Sequence, residues 1–137
     1  MAEETMINWV IDGELARGCR PGRHAADPHN VGHVEVEQWI TEAQRKGVRS
    51  IICLLSTEQL AYYPGVDLLA EYERHGFVVR HIPVDDYQYP PLSVSELKMV
   101  WAAYQDLPRP VLVHCSAGVD RTGYAINHIL RQLSSES

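Results

Sequence analysis

The sequence predicts an α/β fold: a single domain over 1–137, with a central, mostly parallel sheet flanked by helices. Three observations predict it. Apolar, β-branched runs alternate along the chain with segments whose apolar residues recur at helical spacing. The connections between them are short, and Pro110 to Leu133 reads as a strand, a sharp turn and a helix. Such alternation gives parallel strands covered by helices, with the site at the strands' carboxyl ends. At 137 residues the chain is long enough to bury one core.

Asn8 to Ile11 and Leu15 to Gly18 form a strand pair turning at Asp12-Gly13. Val36 to Lys46 is a helix with Val36, Trp39, Ile40 and Ala43 on one stripe, stopped by Gly47. Val48 to Leu55 is a strand, apolar except at Arg49 and Ser50. Ser56 with Gln59 has the spacing of a capping box and opens a short helix. Val66 to His75 is the next helix, stopped by Gly76, and Phe77 to Val84 the next strand. Ser93 or Ser95 opens a helix running to about Leu107, where Pro108 ends it. Pro110 to His114 is a short buried strand, and Thr122 to Leu133 a helix striped by Ile126, Ile129, Leu130 and Leu133. No internal repeat, low-complexity tract or linker interrupts this order.

Between the last strand and the last helix lies His114-Cys115-Ser116-Ala117-Gly118-Val119-Asp120-Arg121-Thr122-Gly123. A loop there turns sharply and gathers backbone N–H groups at the positive end of a helix dipole. That environment takes an oxyanion, phosphate above all. A cysteine at its floor is a nucleophile facing phosphorus, and loop amides, the dipole and Arg121 all favour its thiolate. Arg121 offers a planar fork for two phosphate oxygens, which a lysine lacks. Gly118 and Gly123 are read as the residues allowing unusual backbone angles and close packing on the helix.

The run resembles the active-site signature of the cysteine-dependent protein tyrosine phosphatase superfamily, His-Cys-x5-Arg-Ser/Thr, and the chain's size is similar to its compact dual-specificity branch. The resemblance runs from about Asn8 to Leu133. It implies a phosphate-binding loop of Cys115, Ser116, Ala117, Gly118, Val119, Asp120 and Arg121, with Cys115 forming a phosphocysteine intermediate. It also implies that Thr122 hydrogen-bonds the sulfur and that His114 supports the loop from behind. The chain departs from that branch in stopping soon after the signature helix, at Arg131 to Ser137, where compact relatives carry further helices. A C-terminally short fold would leave apolar surface for an oligomer or partner contact.

Ester cleavage also needs an acid to protonate the leaving oxygen. Asp85 and Asp86 follow a strand end and open a polar, proline-stiffened loop, His81 to Pro91. The resemblance to the acid loop of dual-specificity phosphatases favours Asp86, with Asp85 second. Asp120 is the other alternative, since the loop is also similar to the Gly-x-Asp-Arg-Thr-Gly loop of bacterial tyrosine and lipid phosphatases. Its plainer reading is an ion pair that orients Arg121.

Arg17 to His33 is an unusually basic loop, and Arg20, Arg23 and His24 are suited to recruiting an anionic substrate. Tyr87 and Tyr89 are placed either to line the pocket or to pack the acid loop. His24, His29, His33 and Asp27 match no standard zinc spacing, and the thiolate chemistry calls for no metal and no cofactor. A net charge of −6 argues against nucleic acid as a partner. No apolar run approaches a membrane span, and the acidic N-terminus is unlike a signal peptide. Three cysteines, Cys19, Cys53 and Cys115, without a paired framework point to a reducing, cytoplasmic setting.

The expected activity is therefore phosphomonoester hydrolysis, on phosphotyrosine first and phosphoserine or phosphothreonine second. The signature loop lacks the lysines of phosphoinositide-selective relatives, which disfavours highly phosphorylated lipids. Three alternatives stay open: a phospho-motif binding pseudophosphatase, a phosphatase of a small-molecule or lipid phosphate, and a redox enzyme using Cys19 or Cys53 as partner to Cys115.

Overall fold

The computed structural model describes residues 6–136. A five-stranded sheet in the order β1-β2-β5-β3-β4 is built from β1 (Ile7–Ile11), β2 (Leu15–Gly18), β3 (Ser50–Cys53), β4 (Val78–His81) and β5 (Val111–His114). β1 runs antiparallel to β2, and all other pairs are parallel. Helices α1 (His33–Arg45) and α2 (Leu68–Arg74) share one core with one face of the sheet; α3 (Val94–Asp106) and α4 (Asp120–Glu136) share the other. The strand β5 alternates between the two layers. Leu112 points its burial to the α1–α2 side, while Val111, Val113 and Cys115 belong to the α3–α4 side.

The stripe expected on the first helix is buried in full: Val36, Trp39, Ile40 and Ala43. Glu35 fixes its start by accepting the Gly32 N–H at 3.1 Å. Gly47, with φ +83°, turns the chain out of its last turn. Of the two serines offered for α3, Ser93 is the cap; its hydroxyl accepts from Glu96 N–H while the Glu96 carboxylate accepts from Ser93 N–H. Asp67 does the same work for α2, accepting from Ala70 N–H at 3.2 Å.

The strands β3 and β4 are both shorter than predicted. The ladder pairs only Ser50–Cys53 with Val78–His81 and with Val111–His114, although Val48, Leu54, Leu55, Ile82 and Val84 are all buried beyond it. The apolar runs record burial, which extends past the regular ladder, although single backbone bonds continue at the carboxyl ends: Leu54 N–H donates to the His114 carbonyl at 2.9 Å and Ile82 N–H to the Cys53 carbonyl at 3.0 Å. In α4 the stripe is Ala125, Ile126 and Ile129, whereas Leu130 is exposed. The helix also begins two residues earlier than predicted, so Asp120 and Arg121 lie in its first turn.

Among the described residues no helix is long and apolar enough to cross a membrane.

Candidate active site

Cys115 follows β5 directly and is buried, at 2 % exposure. Its Sγ accepts a hydrogen bond from the Gly118 N–H at 3.3 Å. That bond requires the loop to curl back on itself, and Gly118 does so with φ +78°. A Cβ at Gly118 would stand 2.5 Å from the Gly18 carbonyl oxygen, so the crest of the loop is pressed onto the end of β2. Gly123 is different: it sits in α4 without a positive φ, and a Cβ there would make only ordinary contact with Arg17 Nη2 at 3.4 Å. The backbone freedom expected of both glycines is needed at Gly118 alone.

Arg121 is 2 % exposed, yet lines the cavity over the thiol. Its Nη1 donates to the carbonyls of Leu54 (3.2 Å) and Val84 (2.8 Å) and to Gln59 Oε1 (2.8 Å). These acceptors come from the ends of β3 and β4 and from the turn between β3 and α2, so three segments hold one end of the guanidinium. Nη2 pairs with Asp86 Oδ2 at 3.3 Å. Gln59 Nε2 donates to the same Asp86 oxygen at 3.2 Å. Gln59 also completes the reciprocal pair with Ser56 that its spacing predicted, at 3.2 and 3.1 Å.

The three aspartates are separated by position. Asp86 and Asp120 both line the cavity of about 120 Å³ that holds Cys115 and Arg121, with Arg23, Tyr87, Ser116 and Ala117. Asp85 is exposed and lines only the neighbouring cavity. Asp120 makes no ion pair with Arg121; Asp86 takes that position instead. Tyr87 stands at the rim with φ +62° and its ring almost wholly exposed, its N–H donated to Asp86 Oδ1 at 3.1 Å. Tyr89 is equally exposed and lines neither cavity.

Behind the loop, His114 is fully buried. Its Nδ1 lies 3.0 Å from the Cys115 carbonyl, which can only accept, so Nδ1 carries the proton. In the neutral ring Nε2 then accepts from the Tyr72 hydroxyl at 3.0 Å. Burial pushes the His114 pKa down to about 4, which keeps that tautomer neutral. Trp39 packs edge-on against the imidazole and donates to the Cys19 carbonyl at 2.9 Å. The hydroxyl of Thr122 is buried without a hydrogen-bond partner, so the expected bond to sulfur is not made here.

Two structural contributors were not singled out in the sequence. Gln59 was read only as a cap, because its contacts to Arg121 and Asp86 span 62 and 27 residues. Arg17 was read only as part of a basic loop, and in fact its Nη2 donates to the Gly118 carbonyl at 2.8 Å. Among the described residues no group of three or more His, Cys, Asp or Glu is arranged to hold a metal. Cys19, Cys53 and Cys115 are all free and buried. Burial raises the Cys19 pKa and pushes Cys53 up to about 12, which makes both poor partners for thiolate exchange at neutral pH.

The family model described as "polymorphic toxin system, DSP-PTPase phosphatase" matches residues 31–133. The chain belongs to that family. It is thereby a phosphatase domain of the dual-specificity type within the tyrosine phosphatase superfamily. Solved structures agree in fold. The kinase associated phosphatase is 19% identical with a TM-score of 0.67, covering 87% of this chain and 65% of its own. A DUF442 protein from Shewanella putrefaciens CN-32 is 20% identical with a TM-score of 0.64, covering 93% of this chain and 68% of its own. Tk-PTP is 22% identical with a TM-score of 0.57, covering 88% and 68%. The phosphatase domain thus spans just under two thirds of the kinase associated phosphatase chain. No curated protein matches it.

Proposed function

We propose that the chain hydrolyses phosphomonoesters through a Cys115 phosphocysteine intermediate, with phosphotyrosine as the first substrate and phosphoserine or phosphothreonine as the second. The observation that carries this reading is one small cavity lined together by Cys115, Arg121 and Asp86.

In the first step the Cys115 thiolate attacks phosphorus, the P–S bond forming as the ester P–O bond breaks. Asp86, in its acid form, gives its proton to the departing oxygen. In the second step water attacks the phosphocysteine, Asp86 as carboxylate takes the water's proton, and the thiolate leaves. Arg121 serves both steps. Its Nη1 is committed to the scaffold, while Nε has no partner among the described residues and is available, with Nη2, to the phosphate oxygens. An arriving phosphate dianion competes with Asp86 for Nη2. Asp120 is the alternative acid, supported by lining the same cavity; Asp85 has no such support.

The family's description sets the domain in polymorphic toxin systems, so we infer that the phosphoester belongs to a target of such a system. The test is hydrolysis of para-nitrophenyl phosphate and of a phosphotyrosine peptide in the presence of chelator. Both activities should disappear in Cys115→Ser. Retained hydrolysis in that variant would overturn the mechanism.

A further inference from the structure

A cavity of about 660 Å³ opens beside the catalytic one and shares Arg23, Asp86, Tyr87 and Ser116 with it. At its wall stands Arg20, which is 1% exposed. Arg20 Nε donates to the Ser116 hydroxyl at 3.1 Å, and Nη1 reaches the Tyr63 hydroxyl at 3.4 Å. The guanidinium carbon lies 4.7 Å from the centre of the Tyr62 ring. Among the described residues no carboxylate lies within 4 Å of it, and Nη2 has no partner. A buried guanidinium held only by neutral groups is an uncompensated charge, which is costly unless an anion completes its coordination.

Arg23, three residues on, lines both cavities, and among the described residues its side chain has no hydrogen bond or ion pair. Acidic groups line the same space, but none neutralises this pair. Asp86 is taken by Arg121 and Gln59, and Glu58 and Asp85 are exposed. The arrangement thus offers a second positive position, one residue along the loop from the thiol.

We propose that Arg20 and Arg23 form a subsite for a second oxyanion, so that the preferred substrate is a phosphomonoester bearing another phosphate or equivalent dianion beside the scissile one. Arg20, fixed by Ser116 and Tyr63, supplies the immobile contact. Arg23, between the two cavities, reaches either anion. This rests on the phosphatase reading above for its catalytic arm, but the subsite itself is a matter of binding.

The experiment uses probes that cannot be hydrolysed. Wild-type protein is titrated calorimetrically with benzylphosphonate and with ortho-, meta- and para-xylylene bisphosphonate, at fixed ionic strength. At least one bisphosphonate should bind tenfold or more tightly than benzylphosphonate. That advantage should shrink to about the statistical factor of two in Arg20→Gln and in Arg23→Gln. Because the advantage is a ratio within each protein, a general weakening of the loop in Arg20→Gln does not imitate the result. Equal affinities in wild type, or an advantage that survives both substitutions, would overturn the subsite. Failure of wild type to hydrolyse any aryl phosphate would instead defeat the phosphatase reading, and the phosphonate titration would still decide the subsite.

Discussion

Arg121 Nη2 and Asp86 Oδ2 lie 3.3 Å apart, so the residue proposed to hold phosphate and the residue proposed to protonate its leaving group are bound to each other. Gln59 bridges them, accepting from Arg121 and donating to Asp86. The acid loop is therefore moored at the cavity by two side chains, and phosphate entry exchanges one mooring for another.

Asp86→Asn keeps the shape of that contact and removes the proton. It should lower kcat on a phosphotyrosine peptide by about 10²–10⁴-fold, with a much smaller effect on an ester whose leaving group needs no protonation. Asp120→Asn should leave the peptide rate within about threefold, since about 0.7 kcal/mol covers that range. The reverse ranking in steady-state kinetics would move the acid role to Asp120.

Gln59→Leu removes the bridge while keeping the bulk. Arg121 loses a charge-assisted hydrogen bond and Asp86 loses its neutral donor, which together are worth about 2 kcal/mol. A double-mutant cycle with Asp86→Ala should be non-additive in kcat/KM, because either substitution removes the Gln59–Asp86 hydrogen bond. Additive effects would mean that Gln59 serves only as the partner of Ser56.

Gly118→Ala places a methyl group in a left-handed conformation and 2.5 Å from the Gly18 carbonyl. Unfolding in urea should register a loss of about 2 kcal/mol or more, with activity lost as the Sγ contact opens. Gly123→Ala should be close to neutral, because only ordinary contact awaits its Cβ. Equal costs at both positions would refute the close approach of the loop to β2.

His114 gives the fold a pH dependence. Its folded pKa is about 4 against an ordinary 6.5, so below pH 6.5 the unfolded chain takes a proton that the folded chain refuses. Stability is complete above the ordinary value and falls as pH drops through this window, by about 3 kcal/mol at its lower end. His114→Asn keeps a donor for the Cys115 carbonyl but cannot titrate. Its stability at neutral pH should be lower, and its decline between pH 6.5 and 4 shallower than that of wild type. Parallel curves for the two proteins would contradict a neutral buried imidazole.

Local chemistry explains what was legible in the sequence. The helix stripe of α1, the Ser93 cap, the Ser56–Gln59 pair and the strand-loop-helix around Cys115 each depend on residues a few positions apart, and each has a spacing to read. Strand ends were less legible, because burial at residues such as Leu54 and Val84 extends beyond the regular ladder. Least legible were the contacts closing the site. Arg17 reaches Gly118 over 101 residues, and Arg20 reaches Ser116 over 96. No periodicity encodes such contacts; they exist only once β2 lies beside β5.

The central claim is that Cys115 carries the phosphoryl group. Its most direct test is rapid acid quench of the protein during turnover of a phosphotyrosine peptide, followed by mass spectrometry of the peptide containing residue 115. The account predicts a phosphoryl adduct on Cys115, enriched in Asp86→Asn if loss of the base slows its hydrolysis, and absent in Cys115→Ser. Steady turnover with no adduct at any quench time, or turnover surviving in Cys115→Ser, would contradict it.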